Sequence, residues 1–377
     1  MEKLQNKKTI IYFDNAIFNL QKIGGISIVF SALIKKLKQS DAVEINMVVN
    51  NKKDADDSQK NITYEGLSEG INTVSEMRLP KILQRFAPLL KKLPAGVIYH
   101  STYNRYSFQK NILKVITVHD LGHEKKIMQQ GIKRLVHVFF KRIAIAAADG
   151  IICVSESTKK DLMLYYGNVV KNKFIKVIYN GLSEDFVSYD VGNVQVKGSN
   201  AILFVGSRYG YKNFDKAVRA VSETRDFEMI VAGGGALSQD DKNLLDESLP
   251  GRYSVEVDIS TPQLRNLYSN SFCLLYPSSY EGFGLPILEA MASGCPVVCC
   301  DNSCIREVAG SAALIVAKPG VEDLLSAINL LGHDQTRRKM ISEGKIHSAN
   351  FSWDNTVTNT IKFYKELIQQ KSWVERN

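Results

Sequence analysis

Two carboxylates, Glu281 and Glu289, stand with seven residues between them in the segment YEGFGLPILEAMASG, Gly282 and Gly284 among those seven. An ionised carboxylate only accepts hydrogen bonds, so its partners must be donors such as hydroxyl groups. The two glycines let the backbone come close to a ligand. Leu285-Pro286 has the form of a first helical turn and Gly294 that of a stop, which puts Glu281 in the loop before the helix and Glu289 within it. A helix N-terminus behind a glycine loop offers N–H groups to an anion. Two acceptors beside an anion site suit a ligand that combines a diphosphate with sugar and ribose hydroxyls.

The elements that must hold these residues are legible as short runs rich in Ile and Val. TIIYF, AVEINMVV, AGVIYH, LKVITVH, GIICVS and FIKVIY occupy the first half. AILFVG, FEMIVAG, YSVEVD, FCLLYP, CPVVCC and AALIVA follow a polar stretch near Ser183 to Asn200. Helix-length segments separate them, the pattern of parallel sheets. Two doubly wound α/β domains are expected. In such sheets ligands bind beyond the carboxyl ends of the strands, where this chain carries His100, His119, Asp120, Ser155, Gly206 to Arg208, Gly233 to Gly235, and Tyr280 with Glu281.

With its glycines and proline in place, the Glu281 to Glu289 spacing matches the E-x7-E signature, and the chain resembles the retaining glycosyltransferases of family 4, which have the GT-B fold of two Rossmann-like domains facing across a cleft. The resemblance implies that Glu281 contacts hydroxyls of the transferred sugar and Glu289 the ribose of the nucleotide. Gly206, Gly282, Phe283, Gly284 and Leu285 would surround the donor, and Arg208 and Lys212 in VGSRYGYKNF would neutralise the departing diphosphate. That last role has an independent physical ground, since fixed cations aimed at developing charge lower a barrier. Gly24 and Gly25 in IGGIS match the family's glycine loop near the diphosphate and acceptor, and His119 in TVHDLGHE matches its strand-end histidine near the donor sugar. Plainer readings compete: solvated surface cations, a tight turn and a structural histidine. Gly233 to Gly235 would lie near the nucleotide and Leu264 to Tyr268 near its base. The features SESTKKDL, VIYNGL and FSWDNTVTNTIKFYKEL extend the match over nearly the whole chain. The domains are expected at 1–183, the acceptor side, and 184–351, the nucleotide-sugar side, with 352–377 a helix returning to the first domain.

The implied activity is hexosyl transfer from a nucleotide diphosphate sugar, GDP-mannose-like by the wording VGSRYGYKNF, to an acceptor hydroxyl on a glycan or lipid-linked glycan of cell-surface polysaccharide or lipopolysaccharide. A sugar-nucleotide epimerase or hydrolase on the same fold and a non-catalytic protein binding anionic ligands are the alternatives. A nicotinamide-dependent oxidoreductase would want G-x-G-x-x-G at a first βα turn, which is missing. Nor is there a nucleic-acid-binding module.

The 377 residues, 45% hydrophobic and 23% charged, suit two soluble globular domains. No apolar run is long enough to span a membrane, and Met1 to Asp14 lacks the form of a secretory signal, so a cytoplasmic setting is expected, on the inner face of the cell membrane. Six cysteines, mostly in apolar runs, are expected in the core as reduced thiols. No metal site and no metal requirement is expected; Asp54-x-Asp56 has a metal-binding spacing but follows no strand directly. The net charge of +9 is uneven: residues 1–183 hold 29 Lys/Arg against 15 Asp/Glu, and the remainder 19 against 24. The first half therefore meets something anionic. Lys81 to Leu93 and Lys125 to Arg142 carry four and six cations, no acid, and interleaved apolar residues. Such segments suit an anionic bilayer surface, the first as an interfacial helix; a core-facing apolar side with solvated cations is the other reading.

Overall fold

The computed structural model describes residues 8–21, 24–50, 67, 70–77, 80–128, 130–187, 200–302 and 304–374. Asp54, Asp56 and Ile23 lie outside the described residues. The chain divides into two compact units, Met1–Gly181 with Trp353–Asn377, and Leu182–Ser352. The Leu182 N–H donates to the Phe351 carbonyl at 2.9 Å, both within the second unit.

In the first unit the strands are β1 (Thr9–Asp14), β2 (Val43–Asn50), β3 (Asn72–Glu76), β4 (Ile98–Ser101), β5 (Leu113–Val118), β6 (Gly150–Cys153) and β7 (Phe174–Val177). They form one parallel sheet in the order β3-β2-β1-β4-β5-β6-β7. Six of the seven coincide with the apolar runs. The sequence reading missed β3, NTVSE, because this edge strand is mostly exposed and has no apolar run to announce it. Its last residue, Glu76, is nonetheless buried against Arg105, as described below. In the second unit β8 (Ala201–Val205), β9 (Glu228–Ala232), β10 (Tyr253–Glu256), β11 (Cys273–Tyr276), β12 (Val297–Cys300) and β13 (Leu314–Val316) are parallel in the order β10-β9-β8-β11-β12-β13. β8, β11 and β12 are buried along their whole length, as near-continuous apolar strands covered on both faces must be. The strand order reverses at β1/β4 and β8/β11, the switch points where a doubly wound sheet opens a crevice.

The helix Trp353–Val374 belongs to the first unit. Gly150 on β6 makes room for it: a Cβ there would come within 2.8 Å of Phe363 and Leu367. His100, at the end of β4, is buried, with Nδ1 2.7 Å from the Tyr364 hydroxyl and Nε2 2.9 Å from Thr117 Oγ1. Burial, then His119, lowers its pKa to about 3. Of the strand-end residues singled out above, His100 thus serves as a neutral fastener for this helix. All six cysteines are free and buried.

Lys81 to Leu93 is helical only at Lys81–Gln84. Leu89 and Leu93 then turn into a core shared with Tyr99 and Ile112, so the expected interfacial helix is replaced by an irregular segment anchored inward. Pro88 and Pro94 withhold two N–H donors a continuous helix would need.

Candidate functional site

In the second unit, β8 is followed by Gly206, whose φ of 115° favours glycine. The chain then passes Arg208 and a single turn at Gly210–Lys212 to reach Asn213, itself left-handed at φ 51°. The Asn213 side-chain amide donates to the carbonyls of Tyr211 and Pro277 and to Ser279 Oγ at 2.7–3.1 Å. Asn213 thereby ties the loop after β8 to the loop after β11. Asparagine is the residue best able to do this, since it tolerates the left-handed region and carries its own donor.

That tie brings together side chains 69 positions apart. Lys212, 9% exposed, places Nζ 2.5 Å from Glu281 Oε1 and donates to the Tyr276 hydroxyl at 3.1 Å. Burial, then the Glu281 carboxylate, holds the Tyr276 phenol well above its usual pKa, so it remains protonated. Tyr276 was missed by the sequence reading; its signal was a phenol at the carboxyl end of an otherwise apolar strand, FCLLY.

Gly284, at φ 103°, caps the helix Leu285–Ala292. The helix ends one residue before Ser293, with Gly294 left-handed at φ 74° as a stop. Phe283 is buried and packs edge-on to Phe351, so its ring anchors the loop. Glu289 accepts a hydrogen bond from the buried Tyr268 hydroxyl at 3.0 Å. Burial lifts the Glu289 pKa to about 7, against an ordinary 4.5, with the Tyr268 bond opposing. The Leu264 to Tyr268 segment thus reaches Glu289 through Tyr268.

Because the folded pKa of Glu289 exceeds the unfolded one, the folded state holds the extra proton between pH 4.5 and 7, and stability falls as pH rises through that window. Glu289→Gln is therefore expected to be more stable than the wild type at pH 8, by roughly 1–3 kcal/mol. The advantage should shrink by pH 5. Melting both proteins at the two pH values checks this, and an equal gap at both would refute the burial argument.

Arg208 does not join Lys212 and Glu281. Its guanidinium donates to the carbonyls of Gly233, Gly234, Gly235 and Ala236 at 2.6–3.3 Å and pairs with Asp241 at 3.1 Å. The three glycines, all left-handed at φ 71–79°, wrap the loop around it. A Cβ on Gly234 would sit 2.9 Å from Arg208 Nη1.

In the first unit, Gly24 caps the helix Gly25–Lys38 and a side chain on Gly25 would meet open space. His119 follows β5 with its ring edge-on to Phe30 and its Nε2 buried without a partner. Burial, with Asp120 opposing, lowers its pKa to about 4, so it is a neutral imidazole. Asp14, missed by the sequence reading, ends β1 as a buried carboxylate accepting from the Thr102 hydroxyl at 2.7 Å and the Tyr99 hydroxyl at 2.6 Å. It braces the β1/β4 switch point.

Residues 23–186 match the family described as Glycosyltransferase Family 4, and residues 190–347 match Glycosyl transferases group 1. An uncharacterized glycosyltransferase of Methanocaldococcus jannaschii is 26% identical, covering 92% of this chain and 95% of its own. O-antigen chain mannosyltransferase B of Escherichia coli is 46% identical over 103 residues, 27% of each chain. Among solved structures, a sucrose-phosphate synthase from Thermosynechococcus elongatus superposes with a TM-score of 0.74 at 17% identity, over 97% of this chain and 100% of that one. The Anabaena protein HepE in complex with UDP-glucose does so at 0.67 and 16%, over 95% and 99%. Two sheets of Rossmann order, the carboxylate-bearing glycine loop and these matches along both halves place the chain in one family: it belongs to the family 4 glycosyltransferases, hexosyltransferases of the GT-B fold.

Proposed function

We propose that the protein transfers a mannose-like hexose, from GDP-mannose or a close analogue, to a hydroxyl of a glycan or lipid-linked glycan in cell-surface polysaccharide or lipopolysaccharide synthesis, with retention of anomeric configuration. The observation that carries this reading is the Lys212–Glu281 contact at the β8/β11 switch point. A lysine there can pass from its carboxylate to the oxygen of a leaving diphosphate, while Glu281, released, accepts from sugar hydroxyls. The mannosyl preference draws on the O-antigen relative. The nucleotide diphosphate sugar draws on the UDP-glucose bound by the structural neighbour.

Peripheral attachment to an anionic membrane face forms part of the proposal. On the helix Gly131–Ala147, Ile132, Leu135, Val136 and Phe139 are 79%, 58%, 39% and 58% exposed, at the spacing of one helical face. Lys126, Lys133 and Arg142 lie exposed around it. An apolar stripe edged by cations suits the headgroup boundary. Lys141, also counted among the cations of this segment, is buried and bonded to the Asp120 carbonyl at 2.6 Å and Glu124 at 3.3 Å, so it adds nothing to that surface. No described helix is long and apolar enough to cross a membrane.

A thermal-shift screen over nucleotide sugars is expected to single out GDP-mannose, since a ligand at a hundredfold excess over its Kd adds about 2.7 kcal/mol. Proton NMR of the product should show the donor's anomeric configuration kept. Co-sedimentation with vesicles containing phosphatidylglycerol is expected at low salt and to be lost in Leu135→Asp. A UDP-sugar winning the screen, an inverted product, or absence of vesicle binding would each strike out its own part.

A further inference from the structure

Outside the residues assigned to the donor, the first unit gathers Arg85, Tyr103, His123 and His137 into one cluster. The two imidazoles overlap, with centroids 3.9 Å apart. His137, 6% exposed, has its Nε2 3.0 Å from the Tyr103 hydroxyl and 3.4 Å from the Asn104 side-chain nitrogen. An Nε2 that accepts from these groups leaves the ring proton on Nδ1. That Nδ1 is buried without a partner, as are His123 Nδ1 and Arg85 Nε. The Arg85 guanidinium sits 5.9 Å from the Tyr103 ring and 5.6 Å from that of Phe86, which in turn is 6.1 Å from His137. Three buried polar groups of one cluster are thus left without partners, which is costly unless a ligand supplies them.

The surroundings decide the sign of that ligand. Glu124 is committed to Lys141 and to the Tyr166 hydroxyl at 2.6 Å, and Asp120 Oδ1 accepts from the Gly122 N–H at 2.9 Å. Lys141, bonded to both of those residues, offsets part of their charge, and Arg85 has no carboxylate partner among the described residues. Burial lowers the pKa of both histidines, that of His137 to about 3, so each is a neutral N–H donor. Nor does any group of three or more His, Cys, Asp or Glu converge to hold a metal among the described residues.

We propose that Arg85, Tyr103, His123 and His137 form a subsite for a phosphate-type oxyanion, one forked cation and two imidazole donors being matched to several oxygens at once. Resting on the transferase reading above, this oxyanion is carried by the acceptor. The exposed stripe of the helix Gly131–Ala147 lies on the same helix as His137, so the phosphate could belong to a lipid headgroup or to a soluble acceptor.

The test is histidine-selective ¹⁵N NMR of the full chain, titrated with inorganic phosphate. The His123 and His137 signals are expected to move saturably, while His333 and His347 of the second unit stay in place. Arg85→Gln should weaken this binding roughly ten- to a hundredfold, the weight of a charge-assisted hydrogen bond. Arg85 makes no side-chain hydrogen bond among the described residues, so the fold should tolerate the change. Octyl phosphate distinguishes the sources: binding about tenfold tighter than inorganic phosphate points to a lipid-borne group, equal binding to a soluble one. Unmoved histidine signals, or equal shifts in Arg85→Gln, overturn the subsite. If nucleotide sugars still stabilise the protein in that case, the transferase reading survives alone; phosphate binding without any nucleotide-sugar binding keeps the anion subsite and removes the transferase reading.

Discussion

Glu281→Ala is expected to lower kcat for glycosyl transfer by roughly a hundred- to a thousandfold, the loss typical when one preorganised polar contact to a reacting group is removed. Donor KM should change little, because Glu289 and the glycine loop remain. The effect belongs to the chemical step: Glu281 is not part of a packed core, and Lys212 keeps the Tyr276 hydroxyl when its carboxylate partner is gone. Glu281→Gln should recover little, since an amide oxygen accepts more weakly than a carboxylate. Lys212→Met should be comparably slow alone, yet cost far less when added to Glu281→Ala, because residues acting as a unit are not additive. Steady-state kinetics alongside circular dichroism of each variant provide the check. A folded Glu281→Ala enzyme turning over at near-normal rate would remove the pair from the reaction.

The largest expected effect on stability lies far from that pair. Glu76→Ala should destabilise the first unit by about 3–5 kcal/mol, the cost of leaving a buried charge without its partner. Glu76 and Arg105 are 1% and 0% exposed at their side chains and meet at 2.7 Å. Burial works against the Arg105 charge, but Tyr99, Asp14 and Glu76 outweigh it and raise the guanidinium pKa. Glu76 also accepts from the backbone N–H groups of Leu90 and Lys91, and Arg105 donates to the carbonyls of Ala87 and Pro88. This network holds the irregular chain from Arg85 to Lys91 against β3. Both tryptophans, Trp353 and Trp373, belong to the first unit, so tryptophan fluorescence in a denaturant titration follows it selectively. A loss below about 1 kcal/mol would show that water reaches Arg105 when Glu76 is removed.

Apolar runs located twelve of the thirteen strands, and the glycines and proline around Glu281 located the loop and helix that carry the two glutamates. Both are local properties. A strand buried on two faces must be apolar along its length, and a left-handed residue or a helix start restricts which side chain can occupy it, so each leaves its mark on neighbouring letters. β3 left none, because at the sheet edge only its final residue is drawn inward. The partners of polar groups were likewise not legible. Lys212 reaches Glu281 because β8 and β11 are adjacent and Asn213 clasps their loops, whereas Arg208, four residues earlier, turns to the carbonyls after β9, the neighbour on the other side. Lys141 and His137 face inward while Lys133 and Phe139 on the same helix face out. A charge or an imidazole carries no record of its partner in its own sequence neighbourhood; strand order and helix rotation assign it, and with it the division between groups that hold the fold and groups left to hold a ligand.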